Sequence, residues 1–267
     1  MKKRYPPAGR CIYCGSTAGS LSDEHIIPLA LGGDLILPGA SCVACAKRTS
    51  WIEDVSTSRR FEMFYGARVR HGLPTRRPKD RMRPVDALTI TQQGAYETIS
   101  IAPSDLPANF PMMNLPLPGI VLGEAPSNSV SGTFGFRTKH ADVQRVAKKY
   151  ANDRAVRIGT LYPTAFFQLL AKIGYSFAAA ELGASFGFLP LANLILGRSD
   201  EMSFLIGGHV ESATEAPYGH RLEMGFLTVD GISWPVVTVH LFGIVGLPKY
   251  LVVVGPSTSS ASKSSGP

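Results

Sequence analysis

The sequence lacks an uninterrupted apolar run long enough to cross a membrane. Its most apolar region, residues 161–197, contains Lys172 and Glu181, and its longest uncharged stretch, residues 182–197, has only 16 residues and includes Pro190. A bilayer requires about 20 apolar residues. The first residues, MKKRYPPAGRC, are basic but have no apolar stretch behind them. We therefore expect no secretory leader, no membrane partner and a cytoplasmic location.

Signatures of several enzyme classes are also missing. There is no phosphate-binding Walker loop, no Gly-x-Ser-x-Gly nucleophile turn, no dinucleotide fingerprint followed by an acid, and no internal repeat. Four histidines outside the first third lack metal-ligand spacing, and we predict structural or surface roles for them: His140, His209, His220 and His240. The 45% of hydrophobic residues in 267 is enough to fill a substantial core.

Acidic residues are scarce in the first third of the chain. Residues 1–84 contain 15 Lys and Arg but only 7 Asp and Glu, whereas the remainder contains 12 and 13. The net charge of +7 therefore arises in the first third. Clustered bases gain free energy from phosphate contact by releasing counterions, which predicts nucleic acid as a partner. The candidate contact residues are Lys47, Arg48, Arg59, Arg60, Arg76 and Arg77.

The arginines continue into a segment rich in proline. Prolines 74, 78 and 84 prevent a continuous helix, so residues 66–84 are predicted to form an extended basic strap. Arginine suits phosphate because its planar group donates two hydrogen bonds at once. Such contacts add affinity without reading base sequence. The alternative is a linker that its charge keeps soluble.

Cysteine is rare, and all four cysteines lie in two Cys-x-x-Cys pairs, Cys11 with Cys14 and Cys42 with Cys45. In a reducing compartment this spacing favours a structural zinc ion held by four thiolates, with no open coordination position. Disulfides would need an oxidising compartment. A redox Cys-x-x-Cys normally opens a helix in a β-α-β unit, and neither pair has that context.

The stretch DEHIIPLALGGDLILP separates the two pairs. Its pattern predicts a short strand that ends at Pro28, a turn at Gly32-Gly33 and a second strand. A helix is then predicted from the second cysteine pair to about Tyr65. The result is a ββα unit that zinc would clamp at its base.

The two cysteine pairs and the intervening E-H-I-I-P-x-x-L-G-G motif together resemble the zinc-stapled group of HNH endonucleases, over residues 11 to about 60. The resemblance implies a ββα-metal fold and an enzyme that hydrolyses the phosphodiester bonds of nucleic acid, with DNA as the expected substrate. It implies that His25 is the general base and that Glu24, or alternatively Asp23, binds a catalytic Mg²⁺ or another divalent ion. These roles suit an imidazole that titrates near neutrality and a hard carboxylate ligand.

The sequence departs from the family pattern at two positions. Ala46 follows the second cysteine pair, where the family usually has Asn or His as a metal ligand. The Asn that the family has between the two strands has no counterpart here, and Leu37 is the nearest position by spacing. Ser50 and Glu53 lie one and two helical turns beyond Ala46 on the same face, and Glu53 is the chemically better replacement ligand. A second function therefore stays open: a catalytically impaired zinc module that binds nucleic acid or a protein. In a third, a toxin-like or phage-defence protein, residues 85–255 would sense a ligand and the nuclease would respond.

The pattern of the remaining two thirds of the sequence predicts an α+β fold. We expect a hairpin with a turn near residues 92–94, helices at 141–154 and about 163–182, and apolar strands that include EMSFLIGGHV and a hairpin around Asp230-Gly231. The predicted organisation is a zinc-stapled ββα domain at 1–65, a basic strap or linker at 66–84, an α+β accessory domain at 85–255 and a disordered tail at 256–267.

Overall fold

The computed structural model describes residues 3–58, 63–73, 83–183, 185–209 and 215–259. Helices and strands are mixed along the chain, with an N-terminal ββα unit, so the predicted α+β class is confirmed. Within the described ranges, no helix has both the length and the apolar character that a membrane-spanning helix needs. Four arginines predicted to bind nucleic acid lie outside the described residues: Arg59, Arg60, Arg76 and Arg77.

The N-terminal unit is a small sheet followed by a helix. Its elements are β1 (Lys3–Arg4), β2 (Leu21–His25), β3 (Leu35–Cys42) and α1 (Val43–Thr57), with the sheet order β1-β3-β2. In the antiparallel register, Glu24 lies opposite Leu37 and His25 opposite Ile36. This confirms the predicted ββα unit. The helix, however, ends at Thr57 and not near Tyr65, because the backbone of Ser58 is extended.

Both glycines of the turn between β2 and β3 are required by geometry. Gly32 has a φ of 90°, a conformation that side-chain-bearing residues rarely adopt, and it ends the 3₁₀ turn Leu29–Leu31. A Cβ on Gly33 would collide with the carbonyl group of Ile27. The glycine pair thus lets the chain reverse tightly enough for β3 to pair with β2.

The middle of the chain forms two small sheets and two helices. The elements are α2 (Tyr65–Arg70), β4 (Val85–Ile90), β5 (Tyr96–Ile101), β6 (Phe110–Asn114), β7 (Thr133–Arg137), α3 (His140–Ala151) and β8 (Val156–Arg157). One sheet has the order β5-β4-β8, and the other pairs β6 with β7. The predicted hairpin between β4 and β5 is confirmed, and Gly94 in its turn has a φ of 82°.

The C-terminal part contains a long helix and a larger sheet. The elements are α4 (Pro163–Leu182), α5 (Leu189–Leu196), α6 (Met202–Leu205), β9 (Ile206–Gly208), β10 (His220–Val229), β11 (Ile232–Leu241), β12 (Lys249–Val253) and β13 (Thr258–Ser259). The sheet order is β10-β11-β12-β9, and β13 pairs with β11. The Asp230-Gly231 hairpin turn is confirmed, since both residues have positive φ.

Two predictions for the C-terminal part were wrong in detail. Most of EMSFLIGG is not a strand, because Met202–Leu205 forms α6 and only Ile206–Gly208 joins the sheet. The tail predicted to be disordered from residue 256 contains two residues, Thr258–Ser259, that pair with β11. The rest of that tail, residues 260–267, lies outside the described residues.

Helix α4 lies at the centre of the molecule. It contacts α1 on one side and strands β11 and β12 on another, and most of its residues are buried. One continuous hydrophobic core includes Ile26 and Ile52 of the N-terminal unit, Phe166 of α4 and Val252 of β12. The N-terminal unit (residues 3–57), called the zinc unit below for its four cysteines, therefore shares a core with the C-terminal sheet. The predicted domain boundaries stay a prediction.

Candidate functional site

The four cysteines form a compact cluster. Their Sγ atoms all lie within 4.8 Å of one another, none is in a disulfide, and the Sγ atoms of Cys14 and Cys42 are 3.7 Å apart. A tetrahedral zinc ion with Zn–S bonds of about 2.3 Å separates its sulfur ligands by about 3.8 Å. The donor set and the spacing both fit, so this cluster could bind one zinc ion.

Backbone hydrogen bonds hold each cysteine pair in place. The Gly15 N–H donates to the Cys11 carbonyl and closes a tight turn, and the Ile12 N–H donates to the Ala40 carbonyl of β3. The second pair lies where β3 ends and α1 begins, and the Cys45 backbone N–H lowers the pKa of Cys42 to about 7. The cluster therefore fixes the start of α1 against the β-hairpin.

Glu24 is buried and forms an ion pair with a distant lysine. Its carboxylate Oε1 lies 2.8 Å from Nζ of Lys172 on α4, and the side chains are 5% and 0% exposed, respectively. Burial raises the pKa of Glu24, an effect that the Lys172 charge partly offsets. The side chain predicted to help catalysis thus faces the interior of the protein, against α4.

Glu53 meets the same lysine from α1. Its Oε1 lies 2.9 Å from Lys172 Nζ, and its side chain is 28% exposed. The carboxylates of Glu24 and Glu53 therefore converge, as ligands of one ion would, but they converge on an ammonium group. Burial alone would lower the pKa of Lys172, but the charges of Glu24 and Glu53 more than compensate and the pKa is raised.

Lys172 also binds the backbone at the end of β2. Its Nζ donates to the main-chain carbonyl of His25 and lies 3.4 Å from that of Ile26. One fully buried amino group thus contacts both acids and the strand end that carries the predicted base. Hydrogen bonds from a charged donor are among the stronger ones in proteins.

The residues predicted to hold a divalent ion do not fit one in this arrangement. Glu24 and Glu53 already share the positive charge of Lys172, and an ion between them would meet its ammonium group at contact distance. Asp23 is engaged elsewhere, with Arg4 Nη2 at 2.7 Å from its Oδ2 and the Gly39 N–H on its Oδ1. The expectation of a divalent ion at Glu24, Asp23 and Glu53 stays a prediction.

His25 lies on the other side of β2 from Glu24, whereas Asp23 falls in an irregularity of the strand pairing between Ser22 and Glu24. Because successive strand residues face opposite sides of a sheet, His25 is directed away from the face that carries Glu24. The Arg4 hydrogen bond is the main cause that lowers the pKa of Asp23, and the charge of His25 contributes. His25 is half-buried, whereas Arg4 and Asp23 are exposed. Glu24 and His25 are therefore adjacent in sequence but separated by the sheet.

Two tyrosines join the zinc unit to α4 beside the buried acids. The rings of Tyr13 and Tyr175 stack with centroids 5.6 Å apart, and the Tyr175 hydroxyl donates to the Ile12 carbonyl. Burial raises the pKa of Tyr13, and the charges of Glu24 and Glu53 raise it further. Tyr175 follows Lys172 by three residues, so one face of α4 makes both sets of contacts.

The two described residues of the predicted nucleic-acid surface differ in environment. Lys47 is exposed on α1. Arg48 stacks over Trp51, with Cζ 4.5 Å from the ring centroid, and its Nε donates to the Ile195 carbonyl of α5. Arg48 therefore helps to pack α1 against α5, and the other four predicted contacts lie outside the described residues.

Sequence reasoning missed Lys172 as a site residue. In the sequence Lys172 only interrupts an apolar run, although a lone lysine within a buried helix needs an acidic partner. Lys172 is the one charged residue among the buried residues of α4. That pattern was the available signal, but nothing local to residue 172 indicates that its partners lie near residues 24 and 53.

The comparisons with known proteins concern the N-terminal unit. A search of curated proteins and a search of solved structures each found no significant match. The family model described as HNH endonuclease matches residues 11–61. These residues include both cysteine pairs, the E-H-I-I-P-x-x-L-G-G motif and α1, which confirms the resemblance and identifies this segment as the part of the chain that is similar to the HNH endonuclease family.

Proposed function

We propose that the protein is a nuclease that hydrolyses phosphodiester bonds of nucleic acid, with His25 as the general base. The observation that carries this proposal is the family match over residues 11–61, in which His25 ends β2 on a ββα unit with four clustered cysteines. Zinc at the cysteines would hold the hairpin and α1 rigid, as a positioned base requires.

The chemistry assigned to His25 is proton transfer. A water molecule attacks phosphorus, His25 accepts the proton that this water loses, and the bond from phosphorus to the leaving oxygen breaks, after which solvent protonates that oxygen. A neutral imidazole suits this role near pH 7. Because the three predicted acids do not fit a divalent ion, we assign no step to one.

Exposed bases near the zinc unit support binding of a phosphate backbone. Lys3, Arg4, Arg10 and Lys47 all have exposed side chains. Arg4 of β1 and His25 of β2 both pair with Ile36 of the intervening β3, and Arg4 forms an ion pair with Asp23. A basic side chain therefore belongs to the same row of the sheet as the proposed base. We propose DNA as the first substrate to test, and these phosphate contacts would carry no preference for a base sequence.

The test is a cleavage assay on labelled double-stranded DNA, single-stranded DNA and RNA, with and without added Mg²⁺. Wild type should cut at least one substrate, and His25→Ala should lose about 100-fold or more of the rate, the usual contribution of a general base. His140→Ala is the matched control, because His140 is an exposed histidine outside the zinc unit. Equal zinc content and equal circular dichroism would show that the variants are folded.

One observation favours a second function, a zinc module that binds nucleic acid without cutting it. Glu24 is buried in an ion pair and faces away from His25. Under this alternative, wild type would bind DNA with an affinity that falls steeply with salt, and it would cut none of the three substrates under any condition. Cleavage that His25→Ala abolishes would reject it.

A further inference from the structure

The ion pair of Glu24, Glu53 and Lys172 has the form of a two-carboxylate cation site that an amino acid side chain already fills. Two acids from different elements, β2 and α1, each place one oxygen within 2.9 Å of one nitrogen. The same nitrogen contacts the main-chain carbonyls of His25 and Ile26. Carboxylate and carbonyl oxygens are also the ligands that hard divalent ions take.

We propose that the ammonium group of Lys172 takes the place of a divalent cation between Glu24 and Glu53, so that this acid pair binds α4 and no metal ion. The inference concerns cation binding alone and does not depend on whether the protein cuts nucleic acid. It predicts that Glu24 and Glu53 could bind a divalent cation if the side chain of Lys172 did not occupy the site.

Burial and charge support this assignment. Lys172 is fully buried, so its charge needs partners, and the two acids supply them. Together, the two acids and the lysine leave one negative charge in excess, which a second cation could relieve only by entering beside the ammonium group. The repulsion between an ammonium group and a divalent ion at contact distance opposes that entry.

The geometry also explains why Glu24 and Glu53 face Lys172. Glu24 lies opposite Leu37 in the hairpin register, and both face the interior. Lys172 comes from α4, which packs against α1 and thereby reaches the space between β2 and α1. A polar ligand at position 37 is absent, and the lysine supplies the positive charge that these two carboxylates need.

The test is Mn²⁺ binding to the full-length, zinc-loaded protein, followed by electron paramagnetic resonance. Wild type and Glu53→Gln should bind Mn²⁺ equally weakly. Lys172→Met, which removes the charge and keeps most of the volume, should bind one Mn²⁺ at least about tenfold more tightly than wild type. Adding Glu53→Gln to Lys172→Met should abolish the gain.

Lys149→Met is the matched control, because Lys149 is an exposed lysine on α3 that also forms an ion pair, with Asp105. This control should gain no Mn²⁺ site. Thermal unfolding gives a second readout, since a ligand that binds the folded state stabilises it. Mn²⁺ should raise the melting temperature of Lys172→Met and leave that of wild type unchanged.

Two results would overturn the inference. The first is a Mn²⁺ site in wild type that Glu53→Gln weakens, because the pair would then bind metal in the presence of the lysine. The second is a folded Lys172→Met that gains no site. If Lys172→Met does not fold, the comparison of wild type with Glu53→Gln still decides the question. Neither result bears on cleavage by His25, so the two proposals can fail separately.

Discussion

Lys172 connects the first third of the chain to α4. It joins a strand, a helix and a strand end in the first third of the chain to a helix in the second half. A buried ion pair contributes little net stability compared with apolar packing, but removal of one partner leaves an uncompensated charge. The residue therefore sets where α4 docks, and its loss should be costly.

We predict that Lys172→Met lowers the free energy of unfolding by about 3–5 kcal/mol in the absence of added Mn²⁺, because Glu24 stays buried without its cation. Urea unfolding in a zinc-containing buffer measures the loss. Lys149→Met, which removes an exposed lysine from its ion pair with Asp105, should show a much smaller change. Equal losses of unfolding free energy in the two variants would contradict the larger cost assigned to the buried ion pair.

His220 connects the C-terminal sheet to the zinc unit in its neutral form. Its Nδ1 accepts a hydrogen bond from the Phe242 N–H, so Nε2 carries the proton and donates to the Leu31 carbonyl at 2.8 Å. Burial is the main cause that lowers the pKa of His220 from 6.5. Protonation would remove the acceptor at Nδ1 and place a charge in a buried position.

Because the folded-state pKa of His220 is depressed, its contribution to stability is present above the unfolded-state value of 6.5 and is lost as the pH falls through the folded-state value. We predict that the free energy of unfolding decreases below pH 6.5 and that His220→Gln flattens this dependence. His140→Gln should leave it as in wild type, since His140 is exposed. An unchanged slope in His220→Gln would contradict the assignment.

Among the elements, the cysteine cluster lies where the hairpin meets α1. Cys42 ends β3, and Val43, which begins α1, is 72% exposed beside it. The two residues are neighbours in the chain, but only Cys42 has a side chain that could bind zinc. They therefore allow the effect of zinc to be separated from that of a local backbone change.

We predict that Cys42→Ser lowers the zinc content below one ion per chain and reduces the melting temperature, whereas Val43→Ser changes neither measurably. Structural zinc contributes directly to folding free energy, and loss of one of four thiolates weakens the site. Zinc is measured by mass spectrometry and stability by calorimetry. A full zinc complement in Cys42→Ser would show that the cluster is not the zinc site.

Elements with local signals were predictable from the sequence. Gly32-Gly33, the cysteine pairs and Asp230-Gly231 mark turns through backbone geometry, and they preceded or followed strands as expected. The fold of Met202–Leu205 was not predicted, because short apolar stretches suit helix and strand alike. The end of α1 was not predicted either, because neither glycine nor proline marks the extended residue Ser58.

The candidate site was predictable only in part. The motif gave His25 and the cysteines their proposed roles, and the cysteines do come together. The sequence also paired Glu24 with Glu53, and these two do converge. Their partner is 119 residues from Glu53 in the chain, and no periodicity in a sequence encodes a contact at that distance.

For the whole molecule, the shared core argues that the zinc unit needs the rest of the chain. Phe166 and Tyr175 of α4 belong to the same hydrophobic cluster as Ile26 and Ile52. A zinc unit of this size buries too little apolar surface to be stable without help. Cutting the chain at residue 65 or 84 would therefore expose the apolar surface of the zinc unit that α4 covers.

We predict that a fragment of residues 1–73 with zinc lacks the cooperative unfolding transition of the full chain, since it loses Lys172 and the packing of α4. Calorimetry and amide hydrogen exchange measure this. Addition of a separate fragment with residues 83–267 should restore protection of β2 and α1. A fragment of residues 1–73 that unfolds cooperatively by itself would support an independent domain instead.

The central proposal is that a zinc-stapled ββα unit presents His25 to a nucleic-acid phosphate. The most direct measurement is the single-turnover cleavage rate of one labelled DNA duplex by wild type and His25→Ala at equal zinc content. The proposal predicts cleavage by wild type and a loss of about 100-fold or more in the variant. Equal rates in the two proteins, or no cleavage by wild type, would contradict it.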